Sequence, residues 1–107
     1  MPNYLLQATY TAEGWAALVK SPQNRIEAVR PAIEKAGGTI EAAYYAFGES
    51  DVVLIVEMPD NVSAAGLAIS FAAGGTLKSV KTTPLMTAEE AMEAMRKAGQ
   101  TGYRPAT

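Results

Sequence analysis

Neither cysteine nor histidine occurs in this chain of 107 residues. The first absence excludes a disulfide framework, a thiol nucleophile and thiolate metal sites; the second excludes an imidazole base and a histidine haem ligand. An excess of one charge is also lacking, since nine basic against eleven acidic residues leave a formal net charge of -2. A nucleic-acid binder needs a basic footprint to neutralise phosphates, so nucleic acid is not expected as a partner. The most apolar stretch, Ala64 to Ala73, is shorter than the roughly 20 residues of a membrane-spanning helix and contains Gly66 and Ser70, so no membrane partner is expected. The start, Met1-Pro2-Asn3-Tyr4, lacks the basic and apolar regions of a secretory signal, which leads to the expectation of a cytoplasmic protein.

What is present is a globular composition, 49% hydrophobic and 19% charged, on a length that suits one core. Residues 1–99 are read as a single domain and residues 100–107 as a polar tail. Asn3 to Thr11 alternates as a half-buried strand, with Tyr4, Leu6, Ala8 and Tyr10 on one face and Leu5, Gln7 and Thr9 on the other. Glu13 to Lys20 reads as a connection or helical turn, after which Ser21-Pro22 is expected to open a helix. Its stripe is Ile26, Val29, Ile33 and Ala36, Pro31 is expected to kink it, and Gly37-Gly38 ends it. Thr39 to Phe47 is a second strand and Asp51 to Met58 a third, the latter central because Val52 to Val56 run apolar without a break. Asp60 caps a second helix closed by Gly74-Gly75, and Thr76 to Leu85 suits an edge strand. Thr87 and Glu90 form a capping box for a last helix, with an apolar stripe of Ala88, Ala91, Met92 and Met95.

This order, βαββαβ with an extra C-terminal helix, predicts an α+β, ferredoxin-like fold with both main helices on one face of the sheet. The other face retains apolar side chains, so a second copy is expected to cover it. The second helix is apolar nearly all round, with Val62, Ala65, Ile69 and Ala72 on one stripe and Leu67 and Phe71 on another. It is expected either to make a second interface or to pack under the last helix.

Several segments resemble the GYD domain family: Gly14-Trp15, Ser21-Pro22 with Arg25, Gly37-Gly38, Tyr44-Tyr45, Phe47-Gly48, Asp51-Val52-Val53 and Glu57-Met58-Pro59-Asp60. The sequence departs from the family's Gly-x-Tyr-Asp-like turn by placing Ser50 at the tyrosine position. The resemblance implies a bacterial or archaeal protein forming a dimeric α/β barrel from two sheets. Related barrels include cofactor-free monooxygenases, haem-handling enzymes, isomerases and ligand sensors, so the resemblance does not choose an activity.

The paired glycines follow helices, the reverse of a phosphate loop, and are read as helix ends. Glu57, on the face of Asp51, Val53 and Ile55, is a candidate acid or base in a semi-enclosed cavity; the simpler reading pairs it with Lys78 or Lys81. Tyr45 is expected on that same open face and Tyr44 in the helix-side core. Arg25 sits in the first turn of its helix, a poor place for a cation, which points to an acid or a ligand elsewhere that it answers; a surface ion pair is the simpler reading. Trp15 is read as a loop anchor. No metal loop is formed by the spacing of Glu49, Asp51 and Asp60, and no cofactor is expected. The expected function is a self-associating small-molecule-binding module whose ligand site is lined by Gln7, Tyr45, Asp51, Glu57 and Lys81. The alternatives are a cofactor-independent monooxygenase or isomerase using Glu57, Tyr45 and Asp51, and a purely structural assembly unit.

Overall fold

The elements of the computed structural model run β1 (Asn3–Tyr10), α1 (Ala12–Lys20), α2 (Arg25–Lys35), β2 (Thr39–Tyr45), β3 (Val52–Glu57), α3 (Asn61–Ala73), β4 (Leu77–Leu85) and α4 (Ala88–Ala98). Residues 1–106 are described; Thr107, the end of the expected polar tail, lies outside them. The strands form one antiparallel sheet in the order β2-β3-β1-β4, with the two most apolar strands in the middle. Each helical crossover therefore skips a strand, the two split β-α-β units of a ferredoxin-like fold. Tyr4 and Leu6 of β1 and Val52, Leu54 and Val56 of β3 point to one face, where they bury Ile33 of α2 and Ala64 and Leu67 of α3. Met58 completes this core, and the Tyr4 hydroxyl leaves it to donate to Asn61 Oδ1 at 2.5 Å.

Local chemistry sets the helix starts. Thr11 caps α1 by accepting the Gly14 N–H at 2.9 Å, and the segment expected as a connection or helical turn is a nine-residue helix. Ser21 lies at the end of α1, and the cap of α2 is Asn24, whose Oδ1 accepts from Ile26 and Glu27. The expected start at Ser21-Pro22 is thus three residues early, because the amide side chain of Asn24 satisfies two free N–H groups at once. Asp60 caps α3 through the Ser63 N–H, and Thr87 and Glu90 form the expected capping box of α4.

Two arrangements differ from the sequence pattern. In β2, Ile40 lies opposite Val56 while Ala42 lies opposite Ile55, so Glu41 is an extra, bulged residue. The bulge reverses the facing of the rest of the strand: Tyr45, opposite Val52, turns to the helix side, and Tyr44, opposite Val53, turns to the open side, where it is 69% exposed. The expected facing of this tyrosine pair is therefore inverted.

The last helix, moreover, adds nothing to the core, and only its first turn comes near the sheet, where Glu90 borders a hollow with Ile55 and Asn3. No residue of α4 is buried, and Met92 and Met95 are exposed. The chain measures 57 × 34 × 22 Å with a radius of gyration of 17.0 Å, against about 13 Å for a compact chain of this length. Since α4 does not cover α3, Val62 and Ile69 on its outer stripe are exposed.

Candidate functional site

Helices α2 and α3 grip the sheet through Ile33 and Leu67, but a groove of about 450 Å³ remains between them. Ala8 of the central strand β1 forms part of its floor, Ile26, Val29 and Ala32 one wall, and Phe71 the other. Its origin is a matter of side-chain size. Along β1 the helix-side positions read Tyr4, Leu6, Ala8 and Tyr10, and the small member falls where a larger one would fill the gap; Ala28 and Ala32, one turn apart on α2, likewise leave space.

At one end of the groove, polar groups collect around the β1 terminus. Tyr10 and Arg25 line both the groove and a smaller hollow of about 240 Å³ that reaches α1. Tyr10 meets Trp15 edge-on at 5.1 Å between ring centroids. Asp51 Oδ2 accepts from the Tyr10 backbone at 2.9 Å and from Trp15 Nε1 at 3.2 Å, which makes Trp15 the anchor expected of it. Tyr45 accepts the Arg25 N–H through its hydroxyl at 2.9 Å. Burial, then the neighbouring Tyr45, raises the Tyr10 phenol above its ordinary value of 10.0, with Arg25 opposing and Asp51 reinforcing the shift. The phenol thus stays protonated near neutral pH and can donate.

Among the described residues the Arg25 guanidinium donates only to Gln23 Oε1, at 3.1 Å. Arg30 pairs with Glu27 and Arg96 with Glu93, both at 2.9 Å, but no carboxylate pairs with Arg25 among the described residues. The expected surface ion pair of Arg25 is therefore not formed.

The five residues proposed from the sequence for one ligand site divide between the faces. Gln7 lies opposite both Val53 and Lys81 on the open side, and Glu57 lies on that side at the opposite end of β3, opposite Asn3. Four residues along β1 separate those two rows, about 14 Å. Tyr45 and Asp51 belong to the helix side, Tyr45 because of the bulge and Asp51 because its carboxylate turns to Tyr10 and Trp15. Glu57 stands against Glu41 on the neighbouring strand, and the proton the two can share is the main reason the Glu41 carboxyl is raised above its ordinary 4.5. Lys78 and Lys81 stand on β4, with β1 between them and β3, so the expected pairing of Glu57 with a lysine is replaced by its contact with Glu41. Among the described residues no three acidic side chains converge as metal ligands. Tyr10 and the alanine-floored groove are not singled out by the sequence motifs; the drop in size from Leu6 to Ala8 within a buried alternation is the signal that points to them.

A protein of Thermus thermophilus described as "Glutamine synthetase and cystathionine beta-lyase binding protein" is 33% identical over 81 residues, which cover 75% of this chain and 84% of that one. A crystal structure of the Thermus thermophilus protein TTHA0845 superposes with a TM-score of 0.54 at 15% identity, covering 82% of this chain and 96% of that one, a likeness of fold. The GYD domain model matches residues 4–95, and the chain belongs to the GYD domain family.

Proposed function

We propose that the chain is a self-associating binding module that docks on other proteins through apolar surface. The observation that carries this reading is the pair of apolar faces left at the surface: the open side of the sheet, with half-buried Leu5, Val53 and Ile55 and exposed Tyr44, and the stripe of α4. Phe47, fully exposed beyond the end of β2, extends the first. A second copy is the partner that fits the sheet, since a face-to-face pairing removes the same surface from water on both sides. A four-stranded sheet about 25 Å long presents roughly 500 Å² in projection. A stable interface takes about 800 Å² from each partner, so the sheet needs further surface, and α4 projects from its edge to supply it. Gln7, Glu57 and Lys81 would then line the space between facing sheets as its polar groups.

The relative named for binding two enzymes supports a protein as the further partner. Binding is favoured over turnover because the candidate acids are far apart: Asp51 and Glu57 flank β3 from end to end, about 20 Å, and Asp51 is held by two N–H groups. Sedimentation velocity at micromolar concentration tests the association. A dimer or larger species that Ile55→Lys converts to a folded monomer is expected; a monomeric wild type overturns the reading. A pull-down with purified glutamine synthetase then tests the class of further partner.

A further inference from the structure

The groove between α2 and α3 opens on the side of the sheet away from the face assigned to self-association, and it combines an apolar trough with an unpaired cation at one end. The hollow of about 450 Å³ bordered by Ala8, Ala32 and Phe71 is half open to solvent, a surface groove that a ligand can enter without unfolding the core. Its volume falls within the ~300–1,000 Å³ of small-molecule sites, which likewise pair mostly apolar walls with a few polar groups.

Two of those polar groups, Tyr10 and Arg25, stand where the groove meets the smaller hollow. The Tyr10 hydroxyl makes no hydrogen bond among the described residues, and the Arg25 guanidinium contacts a neutral amide. Asp51, an acid whose charge reaches Tyr10 as that of Arg25 does, already accepts from two N–H groups and makes no ion pair with Arg25. Arg25 is also the first residue of α2, so the positive end of the helix adds to its charge, and Tyr45 fixes its backbone from behind. A planar guanidinium with free donors matches a carboxylate, to which it can give two parallel hydrogen bonds. We infer that this groove binds a small organic acid, its carboxylate against Arg25 and Tyr10 and its apolar chain or ring along Ala8, Ala32 and Phe71. The sheet face used for association takes no part in holding it.

Sodium decanoate, titrated below its micellar concentration, is the probe, with decanamide as the neutral control of equal length. Trp15, the single tryptophan and in edge contact with Tyr10, reports occupancy by its fluorescence, and calorimetry gives the stoichiometry. The expected result is saturable binding of one decanoate per chain, tenfold or more tighter than decanamide. Arg25→Gln should erase that preference while the far-ultraviolet dichroism is unchanged. Ala32→Leu, on the exposed flank of α2 where leucine is a good helix former, should weaken both probes about tenfold by filling the trough. Ile55→Lys, on the other face, should leave decanoate binding intact whether or not it abolishes association. No saturable binding, equal affinity for the two probes, a preference that survives Arg25→Gln, or loss of decanoate binding in Ile55→Lys would each overturn the assignment.

Discussion

The hydroxyl of Tyr45 accepts the backbone N–H of Arg25 at 2.9 Å, joining the end of β2 to the first residue of α2. A helix start leaves its first N–H groups without partners inside the helix. Asn24 takes those of Ile26 and Glu27, and Tyr45 takes that of Arg25. The bond exists because the bulge at Glu41 brings Tyr45 to the helix side. Tyr45→Phe removes one hydrogen bond at a partly exposed position and is expected to lower unfolding stability by about 0.5–1.5 kcal/mol. Urea denaturation measures this directly; a loss below the scatter of the method would mean that water replaces the phenol at no cost.

The same bulge places Glu41 against Glu57, which makes stability depend on pH with a definite sign. The hydrogen bond to Glu57 is the main cause of the raised Glu41 value, with burial next and repulsion between the two charges last. The folded state therefore prefers the neutral acid. Its contribution is complete below the unfolded value of 4.5 and is lost as pH rises through the higher folded value. Glu41→Gln keeps a neutral donor at every pH. The variant should melt above the wild type at pH 7, and the gap should shrink when both are compared at pH 4. An equal gap at the two pH values would show that the carboxyl pair does not titrate in this way.

These two contacts also mark where the sequence pattern stops being readable. Alternation along Asn3 to Tyr10 and the apolar run from Val52 to Val56 specify two strands and their core faces, because each buried side chain contributes to the same choice. The bulge has no such signature. Tyr44 and Tyr45 are adjacent and chemically alike, so a one-residue register change exchanges their faces without altering the hydrophobic pattern. The helix start at Asn24 is hidden for a related reason: Ser21-Pro22 and Asn24 are all acceptable openings, and the choice depends on where α1 ends. Alternation alone places Gln7, Glu57 and Lys81 on the open face. It does not separate Tyr45 and Asp51 from them, since one depends on the bulge and the other on a carboxylate turning back to β1.

Gly38 lies where β2 begins, with no room for a side chain. A β-carbon built there would press on Met58 Sδ and stand 2.5 Å from the Glu57 carbonyl oxygen. Gly38→Ala is therefore expected to cost about 1–3 kcal/mol through overpacking. Met58→Ala, which empties a fully buried position, should cost about 2–5 kcal/mol. The double variant should lose less than the sum, because shortening Met58 relieves one of the two collisions while that with the Glu57 backbone persists. Chemical denaturation of the four proteins measures the coupling, and strict additivity would place the strain of Gly38→Ala on the backbone alone.

For α4 the question is what holds eleven residues helical when they touch no core. Isolated helices shorter than about 12–15 residues are marginal in water even with favourable sequences. The Thr87–Glu90 capping box and the Glu93–Arg96 pair at 2.9 Å are local aids, and neither replaces the burial of Ala91, Met92 and Met95. In a monomeric variant such as Ile55→Lys, α4 amides should exchange hydrogen almost as fast as an unfolded peptide, while those of β1 and β3 remain protected. In the self-associated wild type that the proposed function requires, protection should extend into α4. Truncation after Met86 should separate the two roles of this segment: the unfolding stability of the monomeric variant should change by no more than about 0.5 kcal/mol, as expected for removal of surface that adds nothing to the core. The same truncation in the wild type should weaken self-association. If α4 is strongly protected in the dilute monomer, or if its removal unfolds the monomer, the helix packs on its own domain and cannot be surface held in reserve for a partner.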